Sequence, residues 1–332
     1  LSWPEEIAAA LVFGAAFMAV WDVYQLVPML MALGIATVTT FVVMRSYKLL
    51  TTGDLTFYRY TLRSGGQLKN AGIVFLGFAV LWAGLNAHSG WVRYHERAGA
   101  LAFQSLQIPD ELALARSNPD PWLSASDREN IAAGKEHFSK AVSAGLFVNV
   151  DAMPKLAWFE YLSGNPEQAA DHLAKAADRQ SGQGRALSLY YRGAILNRLG
   201  RYDEAIASLD KALAERPDLA AAREEKGESM WQLGRRQEAV IEWGDAVQNN
   251  PRLVLTNSFL SGAAASMGRQ DLAADYRSRA DQAVPADARF HFMLGLRLQK
   301  AGMNDLAKEN FQRAVKLDPS IQTRWVLSGG DR

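Results

Sequence analysis

The chain contains no cysteine among its 332 residues. Disulfide bonds, thiolate metal sites and iron–sulfur clusters held by this chain's own side chains are therefore excluded, and the redox compartment stays open. The chain also has almost no net charge, because 36 basic residues stand against 35 acidic ones. Nucleic-acid-binding proteins usually carry a clear basic excess, so we do not expect nucleic acid as a partner.

The common enzyme motifs are missing too. The sequence has no H-E-x-x-H, no G-x-S-x-G, no phosphate-binding loop and no dinucleotide fingerprint. His88 and His95 fall on one predicted helical face, where a polar belt at a membrane surface is commoner than a haem or quinone ligand. We expect no enzymatic activity, no catalytic residues, no metal site and no cofactor.

Charge is scarce at the N-terminal end, where 9 of the first 92 residues are charged against 62 of the remaining 240. Three uncharged apolar runs lie there: Ile7–Trp21, Leu26–Met44 and Ala71–Ala87. A bilayer core of about 30 Å needs roughly 20 helical residues, and aromatic residues near the run ends are typical of the lipid–water boundary. We predict a membrane domain over residues 1–92 with two to three transmembrane helices, the first two joined as a hairpin around Asp22 to Gln25. A buried core helix is the alternative for any single run.

The loop between the second and third runs is basic. Its only acid is Asp54, and we expect its cations to lie at the membrane interface: Arg45, Lys48, Arg59, Arg63 and Lys69. By the positive-inside rule this loop is cytoplasmic, so the chain after Trp91 is expected on the outer face, periplasmic in a Gram-negative bacterium. The segment from Asp54 to Leu68 is expected to form an interfacial strand or helix with a turn at its glycine pair.

Small residues and prolines recur every 34 residues in the C-terminal part. The columns are Pro217, Pro251, Pro285 and Pro319; Gly200, Gly234, Gly268 and Gly302; Ala205, Ala239, Ala273 and Ala307; and Ala212, Ala246, Ala280 and Ala314. Glycine favours the residue after a helix end, and proline cannot continue a helix. Each copy is therefore predicted to be two helices, and the copies to stack as a solenoid.

This pattern resembles the tetratricopeptide repeat over residues 186–321. The third copy departs from it, with Ser261 for the small glycine and Arg277 for the usual aromatic or leucine, so we expect looser packing there. We predict an all-α protein: membrane helices in 1–92, a connector in 93–125, degenerate repeat-like helices in 126–185, four 34-residue repeats in 186–321 and a tail in 322–332. Trp325 and Leu327 of the tail are expected to cover the last repeat.

The resemblance implies that the first helix of each pair lines a concave groove for an extended or helical peptide. Its groove positions fall on Tyr190, Asn197, Glu224, Glu228, Trp231, Ser258, Phe292 and Gln299. Burial between repeats is an equal alternative for Tyr190, Trp231 and Phe292. Glu224 and Glu228 disfavour a C-terminal carboxylate, so the expected partner is a protein or peptide that is not strongly acidic.

These features predict a membrane-anchored scaffold that recruits or assembles protein partners. A second resemblance, to the membrane half of NapH-type bacterial polyferredoxins, rests on Val23, Tyr24 and Pro28 and on AHSGWVRYH after the third run. It implies an accessory subunit of an electron-transfer complex with its clusters upstream or on another chain. The first residue is Leu and no signal-peptide pattern precedes it, so we expect a processed or incomplete N-terminus.

Overall fold

A computed structural model describes residues 3–23, 29–115, 119, 122–146 and 149–321. These residues form fifteen α-helices and one small β-sheet, which confirms the predicted all-α class with a helix-pair solenoid. The chain divides into two compact units. The first holds Leu1–Ala98 and Lys140–Val148, and the second holds Gly99–Ser139 and Asn149–Arg332.

The first unit contains three apolar helices: α1 (Trp3–Val23), α2 (Met29–Thr51) and the longer α3 (Asn70–Gln104), whose end belongs to the second unit. Each has a window with a mean hydropathy of 1.4 to 1.6, long and apolar enough to cross a bilayer. Only 6 to 17% of the residues in these windows are buried within the protein. Apolar side chains left uncovered along a whole helix suit a lipid surrounding. The predicted α1–α2 turn lies partly outside the described residues.

Between α2 and α3 the backbone forms an antiparallel sheet of β1 (Leu55–Phe57), β2 (Tyr60–Ser64) and β3 (Gln67–Leu68) in the order β1-β2-β3. Gly65 and Gly66 have positive φ and close the β2–β3 turn, and the Gly65 amide donates to the Asp54 carboxylate at 2.6 Å. Alternating side chains before a glycine pair favour a hairpin over a helix. Of the two conformations expected for this segment, the structure has the strand.

The second unit begins with the end of α3, followed by α4 (Asp110–Ala113) and by α5 (Ala125–Ala144), whose last five residues belong to the first unit. Five antiparallel helix pairs come next. They are α6 (Ala152–Leu162) with α7 (Pro166–Arg179), α8 (Gly182–Arg198) with α9 (Tyr202–Glu215), α10 (Ala220–Gln232) with α11 (Arg236–Asn249), α12 (Val254–Ser266) with α13 (Gln270–Ala283), and α14 (Ala288–Lys300) with α15 (Asn304–Leu317).

The residue columns of the sequence explain this pairing. The four periodic glycines all have φ between 74° and 78° and close the turn inside each pair. Gly227 of α10 lies against the Trp243 ring of α11, and an added Cβ would lie 2.5 Å from Trp243 Cδ1. In the α12–α13 pair Ser261 takes the place of that glycine, is 4% exposed and donates to the Ala273 carbonyl at 2.8 Å. The predicted tail, with Trp325 and Leu327, lies outside the described residues.

Candidate functional site: the inner face of the solenoid

First helices of distant pairs contact one another directly. Lys300 Nζ of α14 donates to the Asn197 carbonyl of α8 at 2.9 Å, three pairs away in the chain. Trp231 Nε1 of α10 donates to the Ala301 carbonyl, just after α14, at 2.8 Å. Contacts that skip a repeat are possible only on the inside of a curved stack. We call the side chains of α6, α8, α10, α12 and α14 on this side the inner face.

Four buried charges join three of these helices. Arg198 of α8 and Arg297 of α14 approach Glu225 and Glu228 of α10 from two sides, and each of the four side chains is at most 4% exposed. Arg198 Nη1 donates to Glu228 and Arg297 Nε donates to Glu228, both at 2.9 Å. Arg198 Nη2 donates to Glu225 at 2.8 Å and Arg297 Nη2 at 2.9 Å. We call these residues the ion quartet.

The quartet has no net charge, which is the condition under which ion pairs are tolerated in a protein interior. Burial opposes ionisation of Glu228, but the two guanidinium groups outweigh it and lower the pKa of Glu228 to about 2. Glu228 is therefore ionised at neutral pH. Removing one partner would leave a buried charge uncompensated, which typically costs about 3–5 kcal/mol.

Glu224 lies beside the quartet in a different environment. Its carboxylate accepts a hydrogen bond from the Thr256 hydroxyl of α12. Burial raises the pKa of Glu224 to about 7, although the nearby Arg297 and the Thr256 hydroxyl favour the charged form. Two glutamates of one helix, four residues apart, thus have opposite pKa shifts, because Glu228 is paired with two arginines and Glu224 is not in direct contact with either in the described structure.

Part of the connector lies on the inner face. We call residues 106–115 the inner segment; its Leu112, Ala113 and Leu114 are at most 5% exposed. Tyr161 of α6 donates to the Ala113 carbonyl at 3.1 Å, and Tyr191 of α8 donates to the Asp110 carboxylate at 2.6 Å.

Further along the connector, the Trp122 ring packs edge-on against Phe292 of α14, with centroids 5.4 Å apart. The short helix α4 also packs against α14. The connector therefore contacts the first, second and last of the five first helices. It lies where a peptide ligand of such a solenoid would lie.

The predicted groove residues lie on the helices of this face and differ in how far they are buried. Asn197, Glu228, Ser258 and Phe292 are buried; Tyr190, Glu224 and Trp231 are half-buried; and Gln299 is exposed. Asn197 donates to the Glu225 carbonyl and carboxylate, and Ser258 donates to Val254 of its own helix. In the described conformation, then, the polar groups of the buried members are engaged by the chain itself.

Position-by-position comparison with the repeat pattern did not identify Arg198, Glu225 or Arg297. These residues lie next to the groove positions, and the two partners of Arg297 are 69 and 72 residues away in sequence. The first helices carry other charged residues besides these, such as Arg192, Arg223 and Lys226, so composition alone does not single out the four. Which of them meet depends on the curvature of the stack.

The predicted interface cations of the first unit are held in different ways. Arg63 donates to the Leu49 and Leu50 carbonyls and so caps the end of α2. Lys48 pairs with Glu5 of α1 at 3.0 Å. The Arg45 guanidinium lies over the Phe57 ring, 4.9 Å from its centroid.

The two remaining interface cations, Arg59 and Lys69, are exposed. The Arg59 guanidinium stacks on the neighbouring Tyr58 ring, 5.2 Å from its centroid. Arg45 and Lys48 lie in the last turns of α2 and not in a loop, so the five predicted interface cations are not equivalent.

Family models described as tetratricopeptide repeat match residues 156–220, 196–253 and 288–321. These helix pairs are tetratricopeptide repeats. The repeats begin upstream of the four copies with strict 34-residue spacing, in the region expected to be degenerate. The matched ranges leave out 254–287, the copy in which Ser261 and Arg277 depart from the pattern.

Solved structures with this architecture are similar to the tetratricopeptide repeats of the chain. A crystal structure of MamA has 19% identity over 48% of this chain and 95% of its own, with a TM-score of 0.43. MamA 41-end from Desulfovibrio magneticus RS-1 has 22% identity over 52% and 96%, with a TM-score of 0.38. YrrB, described as a tetratricopeptide protein with an unusual peptide-binding site, has 18% identity over 58% and 98%, with a TM-score of 0.39. None of the three reaches a TM-score of 0.5, and no curated protein sequence matches the chain.

Proposed function

We propose that the protein is a membrane-anchored scaffold whose tetratricopeptide repeats recruit a protein partner to the bilayer. Helices α1, α2 and α3 would form the anchor, supported by their length and apolar composition. The repeats would supply the docking surface, as helix-pair solenoids commonly do. Tethering confines this surface near membrane partners and raises their effective concentration, which favours assembly of a complex.

One observation carries the docking proposal: the inner face engages the inner segment of the same chain. Two tyrosine hydroxyls bind its backbone and its acid, while its leucines are buried. Hydrogen bonds to a short segment together with buried apolar anchors are the usual means of peptide recognition. The ligand class that this face fits is a short apolar helical segment. A partner segment of that class would replace the inner segment.

The prediction that the partner is not strongly acidic was based on Glu224 and Glu228, and only Glu224 still supports it. Glu228 is neutralised by Arg198 and Arg297, so it contributes no net negative field. Among the described residues Glu224 has no basic partner of its own, and it still disfavours a partner carboxylate at that point. The absence of a strongly acidic partner therefore stays a prediction, carried by Glu224.

The test is binding of a labelled peptide with the sequence of residues 106–123 to the full chain in detergent micelles. In the wild-type chain the tethered copy competes at high effective concentration, so the peptide binds weakly. Leu112→Asp places a charge at a buried apolar position of the tethered copy and so weakens the binding of the inner segment to the inner face. We expect the Leu112→Asp chain to bind the peptide at least ~10-fold more tightly than the wild type, by fluorescence anisotropy.

Ile241→Asp is the matched control, because Ile241 is 63% exposed and lies on α11, which is not one of the helices of the inner face. It should leave the weak wild-type binding unchanged. A Leu112→Asp chain with native helicity that does not bind the peptide would show that the inner face does not accept a ligand in trans, and the docking proposal would fail.

The electron-transfer alternative stays a prediction. Among the residues that the structure describes, no group of three or more His, Cys, Asp or Glu side chains is arranged to hold a metal ion. His88 and His95 lie on α3, and no specific observation favours a redox role for them.

A further inference from the structure

A slot of about 470 Å³ lies between α1 and α2, within the first unit. Its wall is apolar for most of its length, with Phe13 of α1 facing Phe41 and Met44 of α2. Thr37 and Thr40 also line it, but their hydroxyls donate to the Leu33 and Ala36 carbonyls of the same helix. The threonine hydroxyls are thus hydrogen-bonded within α2, so these two side chains leave the wall of the slot suited to an apolar ligand.

The slot ends at two cations. Lys48 is neutralised by Glu5 across the two helices. Arg45 is half-buried, its guanidinium stacks on Phe57 and Phe41, and no carboxylate among the described residues is paired with it. Stacking on aromatic faces fixes the guanidinium plane and leaves its N–H donors free for an oxygen acid.

The length of the slot matches one lipid leaflet. From Thr37 to Lys48 the helix rises by about 16 Å. Half of a hydrocarbon core of about 30 Å is about 15 Å, the depth that one acyl chain occupies. The cationic end is next to the basic loop, at the end of α2 where a headgroup layer would lie if the helix spans the bilayer.

We propose that the α1–α2 slot is a binding site for one anionic phospholipid, with an acyl chain along Phe13, Phe41 and Met44 and the phosphate on Arg45. Charge complementarity favours this occupant, because an apolar partner helix would leave the Arg45 guanidinium without an anionic partner. A zwitterionic lipid would bring its own cation next to Arg45 and Lys48. The inference rests on the proposed membrane anchoring but goes beyond it, since anchoring needs no specific lipid.

Native mass spectrometry of the full chain in detergent micelles tests the site, with phosphatidylglycerol and phosphatidylcholine of the same acyl chains as probes. We expect one phosphatidylglycerol to bind about fivefold more tightly than phosphatidylcholine, the effect of about 1 kcal/mol from one basic residue at the headgroup. Arg45→Gln should abolish this preference. Arg45→Lys should keep part of it, because the charge remains and the planar stacked fork is lost.

Arg59→Gln is the matched control, since it removes one cation from the same basic segment, but from an exposed position outside the slot. It should keep the fivefold preference. Equal loss in Arg45→Gln and Arg59→Gln would mean a diffuse surface potential and would overturn the site. Equal binding of the two lipids by the wild type would overturn it as well.

Soluble glycerol phosphate separates the headgroup from the whole lipid, and it should not displace phosphatidylglycerol. Displacement at comparable concentration would show that the acyl slot contributes nothing. In all of these outcomes the chain still partitions into micelles, so a failed lipid site and a failed membrane anchor are distinguishable. An anchor failure would instead appear as a chain that stays soluble without detergent.

Discussion

Glu224 and Glu228 lie one helical turn apart on α10, and their opposite pKa shifts give opposite pH dependences of stability. An unfolded glutamate has a pKa of 4.5, and Glu224 in the folded chain has a pKa of about 7. Between these values the folded state holds a proton that the unfolded state has lost, so stability falls as the pH rises and stays lower above pH 7. Glu228, with a pKa of about 2, contributes stability above pH 4.5 that is lost as the pH falls towards 2.

We therefore expect Glu224→Gln to be more stable than the wild type at pH 8, by on the order of 1–2 kcal/mol, and equal to it at pH 4.5. The amide stays neutral and can still accept from Thr256. Thermal melting of the full chain in micelles measures this, with roughly 2–4 °C for each kcal/mol.

Glu228→Gln is the opposite control, and should melt lower at pH 8 because it unbalances Arg198 and Arg297. Destabilisation of both variants at pH 8 would contradict the assignment of a raised pKa to Glu224.

For single residues, the sequence predicted positions in the repeat but not which side chains pair with one another. The repeat pattern put Asn197, Glu224 and Glu228 among the groove positions, and their role in binding a partner stays a prediction. It did not predict the pairing of Glu228 with Arg297, because a repeat pattern encodes contacts between neighbours and Arg297 lies two repeats further on.

At the scale of the helix pair, the small residue in the first helix decides how closely the second helix approaches. A methyl group at Gly227 would lie 2.5 Å from Trp243 Cδ1, and the Trp243 ring is 0% exposed and stacked on Phe259 at 4.8 Å. We expect Gly227→Ala to destabilise the solenoid by about 1–3 kcal/mol, since overpacking outweighs the gain in helix propensity. Thermal melting followed by helical circular dichroism measures the change.

Gly244→Ala in the adjacent helix α11 makes the same change in open space, because its added Cβ would meet nothing within 4 Å. It should stabilise the protein by up to about 1 kcal/mol. If the two variants shifted stability in the same direction, close helix approach would not be the reason for glycine at 227.

The helices and strands were the part of the structure that the sequence predicted best. Periodic glycines, alanines and prolines predicted the helix pairs, and the three apolar runs correspond to α1, α2 and α3. The segment after Asp54 was open between strand and helix, because five residues of alternating pattern are too few to separate the two by periodicity. The seating of residues 106–115 on the inner face was not predictable, since Leu and Ala in a short connector carry no period of their own.

At the scale of the whole molecule, the untested property with the largest consequence is sidedness, because it decides which compartment supplies the partner. Three cations against one acid between α2 and α3, with Arg45 and Lys48 in the last turns of α2, favour a cytoplasmic side for this segment, which would put the repeats on the outer face. The chain has no cysteine, so single cysteines can report on each side without background. Ala274 is exposed on α13 and Gln67 is exposed on β3.

We expect a membrane-impermeant maleimide to label Ala274→Cys in intact spheroplasts and to label Gln67→Cys only after lysis. Each variant is the control for the other, because both cysteines are exposed and equally reactive once the membrane is open. Labelling of Gln67→Cys alone in intact spheroplasts would invert the topology and place the repeats, with their partner, in the cytoplasm. Labelling of neither residue before lysis would put both units on the inner side, which three membrane crossings do not allow, and would reduce the anchor to two spans.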